Sequence, residues 1–179
     1  FIAIGSYSGA ILGKMMNGLP GLFAGMAVGV VISVIVAFLV GLPTLRLKGD
    51  YLAIATLGVA EIIRVAVTNM KITNGAAGIS GVPLTNTWTI TYIALVVTTI
   101  LILNYTFSSA GRATYAVLQD EIAAESMGVQ VTKYKILAFV LGAATASIGG
   151  TLSATTLGAV TPSDFTFMKS IDVLIIVVF

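Results

Sequence analysis

The sequence predicts an all-α protein, a polytopic bundle of transmembrane helices with about four full spans, partial helices at both ends and a short cytoplasmic helix. Hydrophobic residues occupy 58% of the 179 positions and charged residues only 9%, whereas soluble domains carry about 25% charged residues. Uncharged runs cover 15–45, 72–111 and 136–163, and each exceeds the roughly 20 apolar residues that a spanning helix needs. These runs lack the polar–apolar alternation of membrane strands, so helices are favoured over a β-barrel.

Four segments are predicted to span the membrane. They are 21–42, 51–70, 88–107 and 136–157. Residues 1–13 resemble the end of a further helix, and 173–179 resemble the start of another. Because the chain begins and ends inside apolar segments, we expect residues 1–179 to be a single transmembrane domain and a fragment of a larger membrane protein, truncated at both ends.

Alternation of the spans places the connecting segments on two sides. Five Lys or Arg residues lie in 43–50 and 112–135, against three in 14–20, 71–87 and 158–172. Positive charge accumulates in cytoplasmic loops, so the first set is predicted to be cytoplasmic. The segment 112–135 strengthens this assignment because it alone carries six of the sixteen charges.

Glu61 and Arg64 are the charged residues within the predicted span 51–70. Their spacing of three places them on one helix face, where they can pair. A charge inside the bilayer must face protein or water. Two interpretations stay open: a structural ion pair that locks two helices, or a polar element beside a transport path.

Gly21, Gly25 and Gly29 form a GxxxGxxxG ladder on one face of the first span. Such a ladder permits close approach of a neighbouring helix backbone. Glycine is also common in membrane helices generally, so a dedicated packing face and background occurrence both remain possible.

The composition excludes several classes of function. The chain contains no Cys and no His, which excludes thiol chemistry and His-based catalysis or metal binding. We find no nucleophile–base pair, phosphate-binding loop or metal cluster, and we therefore predict no catalytic residue, no metal and no cofactor. Nine Lys or Arg residues spread over the whole chain form no basic patch, so nucleic acid is not an expected partner.

The segment 111–135 has mixed polarity. Good helix formers predict one helix over 113–127, and Gly128 supplies its end. Acidic Asp120, Glu121 and Glu125 accompany small and apolar residues. Such a helix between two spans suits docking of a soluble partner, although a solvated helix without a partner has the same composition.

At these residues the sequence resembles the M-type permease subunit of the branched-chain amino acid ABC importers. The likeness lies in LPTLRLKGDYLAI at 42–54 with EIIR at 61–64, in NGAAGISGVP at 74–83, and in GRATYAVLQDEIAAESMG at 111–128. Residues 1–7 and 162–171 fit as well, so the resemblance covers essentially the whole chain.

The resemblance implies an assembly in the inner membrane of a prokaryotic cell. A paralogous permease would complete the substrate path, cytoplasmic ATPase subunits would hydrolyse ATP, and an extracytoplasmic substrate-binding protein would deliver the substrate. The chain itself would then be no enzyme. The ATPase-docking signature of importers, Glu-Ala-Ala, three residues and Gly, is matched with one inserted residue. It assigns docking to the following residues: Asp120, Glu121, Ala123, Ala124, Glu125 and Gly128.

Two questions stay open at this point. A self-contained secondary transporter or channel, using Glu61 and Arg64 as an ion or proton element, is the alternative to an ATP-driven importer. Within the importer class, urea, amides and other amino acids compete with branched-chain amino acids as the substrate, because related permeases share the scaffold.

Overall fold

The computed structural model describes residues 1–16, 18–47 and 50–178. Lys48 and Gly49, which belong to the first block of the family resemblance, lie outside the described residues. Within these ranges the chain forms eight α-helices, two short strands and two 3-10 turns. The elements in chain order are α1 (Ile2–Met15), α2 (Leu19–Thr44), α3 (Asp50–Asn69), a 3-10 turn (Gly75–Ala77), β1 (Ile79–Ser80), α4 (Trp88–Phe107), α5 (Ser109–Gln119), α6 (Glu121–Ser126), α7 (Val131–Leu157), β2 (Ala159–Val160), a second 3-10 turn (Pro162–Phe165) and α8 (Phe167–Val178).

Four helices of the described chain are long and apolar enough to cross a membrane: α2, α3, α4 and α7. They coincide with the four predicted spans, which confirms the all-α polytopic bundle. The prediction that 158–172 connects two helices was wrong in its second half, because α8 already begins at Phe167. The charged residues Lys169 and Asp172 therefore lie within a helix whose remaining residues are mainly apolar.

The core is the close packing of α1, α2 and α7, and small residues make it possible. A Cβ added to Gly25 would lie 2.8 Å from the Gly9 Cα, and one added to Gly29 would lie 2.4 Å from the Ser8 Oγ and 2.9 Å from the Ser147 Oγ. Glycine at these positions therefore lets the backbones approach, as expected for helices that associate in lipid. Gly21 lies in the first turn of α2, where an added Cβ would lie 2.0 Å from the Met16 carbonyl oxygen.

Hydroxyl groups also join these helices through hydrogen bonds to backbone carbonyls. The Ser6 Oγ donates to the Gly150 carbonyl at 2.9 Å, and the Thr151 Oγ1 donates to the Gly5 carbonyl at 2.9 Å. Both hydroxyl-bearing side chains are buried. Small and hydroxyl residues thus replace the large apolar core of a soluble domain, because lipid is as apolar as any side chain and contributes no hydrophobic driving force between helices.

At one end of the bundle the two strands join distant loops. β1 pairs with β2 antiparallel, with Ile79 opposite Val160, and the Val82 amide donates to the Gly158 carbonyl at 2.9 Å. Gly78 permits this contact, because its φ is +72° and an added Cβ would lie 2.2 Å from the Val160 carbonyl oxygen. The segment 74–83 is therefore ordered by pairing with the segment that follows α7.

Candidate functional site

The segment predicted as one helix over 113–127 is two helices, so that prediction was wrong. α5 ends at Gln119, and Asp120 adopts an extended conformation with φ −156° and ψ 114° before α6 begins. The helix formers in this segment favour one continuous helix. The side chain of Asp120 favours the break, because a short carboxylate at a helix start bonds backbone amides that would otherwise lack partners.

Both ends of α6 carry defined caps. The Asp120 Oδ1 accepts from the Ile122 amide at 2.8 Å and from the Ala123 amide at 3.1 Å. At the other end, the Gly128 amide donates to the Glu125 carbonyl and the Val129 amide to the Ala124 carbonyl, with a φ of +83° at Gly128. This is a Schellman motif. Two caps hold a helix of only six residues, a length that would not be stable without such support.

An ion pair ties α6 to the start of α7. The Lys135 Nζ lies 2.5 Å from the Glu121 Oε1, and both side chains are partly exposed. The sequence analysis assigned Glu121 to docking, and the structure places its carboxylate in a contact within the chain. Lys135 was not identified from the sequence, since a contact fourteen residues away across a turn leaves no local signal.

The two small residues of the predicted docking motif face opposite ways. Ala124 is 5% exposed and packs within the chain, whereas Ala123 is exposed. Only Ala123 is therefore accessible to a partner. Glu125 and Gly128 are exposed on the same short helix and its end.

Large apolar side chains stand exposed on α5, α6 and the turn that follows. Ile122 is 77% exposed and Met127 is 83% exposed, and Tyr115 and Leu118 are also largely exposed. We call these four residues the apolar docking face. The sequence shows apolar residues at 122 and 127, but it does not show that these side chains are exposed. Exposed apolar residues of this kind are typical of surfaces that contact another protein or the membrane.

Beside this face an open groove of about 910 Å³ lies between the turn after α6 and α2. Phe38 of α2, Val129 of the turn, and Ile136 and Val140 of α7 provide apolar walls, and Lys133 lies at its edge. The groove and the apolar docking face therefore lie at the same end of the bundle.

Lys135→Gln is expected to loosen α6 without unfolding the protein. Removal of a partly exposed ion pair costs no more than about 1 kcal/mol, but α6 has few other contacts, so hydrogen exchange over 121–126 should accelerate. Lys133→Gln is the matched control, since Lys133 is exposed and makes no ion pair among the described residues. Equal exchange in the two variants would contradict a tether between α6 and α7.

Glu61 and Arg64 are paired within α3. The Arg64 Nε donates to the two Glu61 carboxylate oxygens at 3.0 and 2.9 Å, and the Arg64 Nη2 donates to Oε1. Neither side chain bonds to a second helix within the described part of the chain. Among the described residues the pair therefore bonds within α3 alone, where it neutralises two charges on one face of a span.

Among the described residues, no three His, Cys, Asp or Glu side chains come together as a metal site. Asp120 acts instead as a helix cap, and Glu61 and Glu121 act as ion-pair partners. Asp120 as a cap was detectable in the sequence, because Asp directly before a run of helix formers is a typical helix start.

Comparisons with known proteins give a single consistent result. The family model described as the permease component of branched-chain amino acid transport systems matches residues 1–179. The chain is 36% identical to the high-affinity branched-chain amino acid transport system permease protein LivM of Salmonella typhimurium strain LT2, and 35% identical to LivM of Escherichia coli strain K12. Both alignments cover 99% of this chain and 50% of the relative, so the chain spans about half the length of these relatives. No solved structure matches the chain.

Proposed function

Since the chain belongs to the permease family of branched-chain amino acid transport systems, as its three sequence blocks predict, we propose that it forms part of the substrate path of an ATP-driven importer for branched-chain or related amino acids. It is a multi-pass membrane protein of the transporter class. The proposed site is the inner membrane of a prokaryotic cell. A paralogous permease completes the path, and an extracytoplasmic binding protein delivers the substrate.

One observation carries the ATP-driven part of this proposal. α5 and α6 lie outside the four spans, are fixed by caps and by the Glu121–Lys135 pair, and present the apolar docking face to solvent. A rigid short helix with an exposed apolar side is suited to insertion into the groove of a soluble partner. In this proposal the partner is the ATPase, and its ATP cycle shifts the permease between inward- and outward-facing states.

In the proposed docking, two groups of residues have different parts. Ala123, Glu125, Ile122 and Met127 are exposed and available for contact. Asp120, Glu121 and Gly128 shape α6 from within, through its two caps and its ion pair. Docking then depends on two groups of residues, one that touches the ATPase and one that holds the touching residues in place.

The decisive experiment is uptake of radiolabelled leucine into membrane vesicles that contain the permease and its partner subunits. We expect uptake to require ATP and to survive an uncoupler that collapses the proton gradient. Uptake that proceeds without ATP and stops with the uncoupler would instead support a secondary transporter in which Glu61 and Arg64 serve as an ion or proton element.

Gly128→Val is expected to reduce ATP-driven uptake, because a β-branched residue is strained at a φ of +83° and costs about 1–2 kcal/mol there. The Cβ itself meets nothing within 4 Å, so the effect comes from the backbone and not from bulk. Gly128→Asn is the matched control, since Asn tolerates this conformation. We expect Asn to retain most of the uptake. Equal loss in both variants would contradict a role for the Schellman motif.

A further inference from the structure

A second cavity lies at the end of the bundle where β1 and β2 pair. It has a volume of about 550 Å³, is partly open, and is lined by residues of α1, α3, α7, α8 and the 3-10 turn before α8. Ligand sites typically measure about 300–1,000 Å³, so this cavity has room for a small amino acid and a few waters. It is distinct from the apolar docking face, which is at the opposite end of α7.

Arg64 is the cation that lines this cavity. Its Nε and Nη2 atoms bind Glu61, which fixes the plane of the guanidinium. The Nη1 atom makes no hydrogen bond to the described residues. A guanidinium held on one edge by a carboxylate keeps its other edge for a second planar anion, and a carboxylate is the best geometric match.

Asp164 is the anion that lines the same cavity. Its Oδ2 accepts from the Thr161 amide at 3.0 Å and from the Thr161 Oγ1 at 2.7 Å, so the carboxylate is held in place on the 3-10 turn. Its Oδ1 accepts no hydrogen bond within the described part of the chain. This oxygen remains able to accept from an ammonium group.

The remaining walls suit an aliphatic ligand. Ile63, Ala154, Leu157 and Phe165 are apolar, and hydroxyl groups of serine and threonine residues stand between them. Beside the cavity, Tyr7 packs against Phe165 with ring centroids 6.3 Å apart, and its buried hydroxyl has no hydrogen-bond partner among the described residues. A buried hydroxyl without a partner is costly, so a polar group within its reach would be favourable.

We propose that this cavity binds the substrate as a zwitterion, with Arg64 holding the α-carboxylate, Asp164 holding the α-ammonium group and the apolar walls contacting an aliphatic side chain. The inference rests on the proposed function and names the residues that the substrate meets. In this proposal Glu61 orients the Arg64 guanidinium and balances its charge when the cavity is empty.

The test uses a reporter thiol, because the chain has no Cys of its own. Ser153→Cys places a thiol on the α7 wall of the cavity, and its rate of reaction with a water-soluble maleimide is measured in permeabilised membranes without ATP. Thr87→Cys is the matched control, since Thr87 is exposed at the start of α4 and does not line the cavity. We expect leucine to slow labelling of Ser153→Cys and to leave Thr87→Cys unaffected.

Two analogues test the zwitterion. Leucinamide lacks the carboxylate and 4-methylpentanoate lacks the ammonium group, so each should protect at a concentration about tenfold or more above that of leucine. In the reporter background, Glu61→Gln combined with Arg64→Gln removes the cation without leaving an unpaired Glu61, and Asp164→Asn removes the anion. Each is expected to raise the half-protecting leucine concentration about tenfold or more.

Unimpeded labelling of Ser153→Cys in the presence of leucine would overturn the inference, as would protection that persists unchanged in both charge variants. The unliganded labelling rate reports whether each charge variant is folded, since an unfolded chain would expose the thiol and label faster. The proposed function is judged separately by ATP-driven uptake in the parent protein. Uptake without protection rejects the cavity alone, whereas absence of ATP-driven uptake rejects the importer.

Discussion

Gly29→Val is expected to destabilise the helix bundle by about 3 kcal/mol, the cost of severe overpacking in a well-packed interior. Even the first added carbon would lie 2.4 Å from the Ser8 Oγ, 2.9 Å from the Ser147 Oγ and 3.3 Å from the Gly5 Cα. Two of these neighbours are short side chains in other buried helices and the third is backbone. The steric overlap can therefore be relieved only if α1 and α7 move away from α2.

The measurement for Gly29→Val is thermal unfolding of the detergent-solubilised protein, followed by the fraction that stays monodisperse after heating. Gly142→Val is the matched control, because Gly142 lies in α7 and an added Cβ there meets nothing within 4 Å. The control should change stability by less than about 1 kcal/mol, the scale of helix propensity. Similar melting of the two variants would show that close helix approach at Gly29 is not limiting.

Ile122→Asp is expected to weaken ATPase binding about 30-fold, which corresponds to the loss of roughly 2 kcal/mol at an apolar contact point. The side chain is 77% exposed on α6, so the change leaves the fold of the permease intact. Its effect should appear as loss of the ATPase on co-purification and as a matching loss of ATP-driven uptake.

Ile72→Asp serves as the control for Ile122→Asp, because Ile72 is 75% exposed and lies near the opposite end of the bundle. The two variants make the same substitution at similar exposure, and they differ only in the position of the residue. Retention of the ATPase by Ile122→Asp, or its equal loss in Ile72→Asp, would remove α6 from the docking interface.

The spans could be predicted from the sequence because the thickness of the bilayer sets the length of a spanning helix. An uncharged apolar run has one stable arrangement in lipid, so 88–107 was predicted with both bounds correct and the other spans within about five residues at each end. The first turns of α7 were missed because Lys133 and Lys135 interrupt the apolar run, although both suit a helix outside the bilayer core.

The candidate sites were harder to predict, because they depend on distant contacts. The helix breaks at Asp120 because the Asp120 side chain binds backbone amides, although the surrounding helix formers favour one continuous helix. The cavity combines Arg64 with Asp164, which are one hundred residues apart in sequence and meet only through the packing of α3 against the 3-10 turn. No local sequence pattern predicts that these two residues line the same cavity. The direction of Ala123 and Ala124 likewise depends on where α7 lies.

The strand pair at the end of the bundle has a mechanical consequence. β1 belongs to the connection between α3 and α4, and β2 directly follows α7, so their pairing joins that connection to the C-terminal end of α7. A slip of one residue would reverse which side chains face inward, so the pairing resists sliding of one segment along the other. Separation of the α3–α4 connection from α7 would break the hydrogen bonds of the strand pair. We therefore expect any relative movement of these helices to be smallest at this end and larger at the end where α5 and α6 lie.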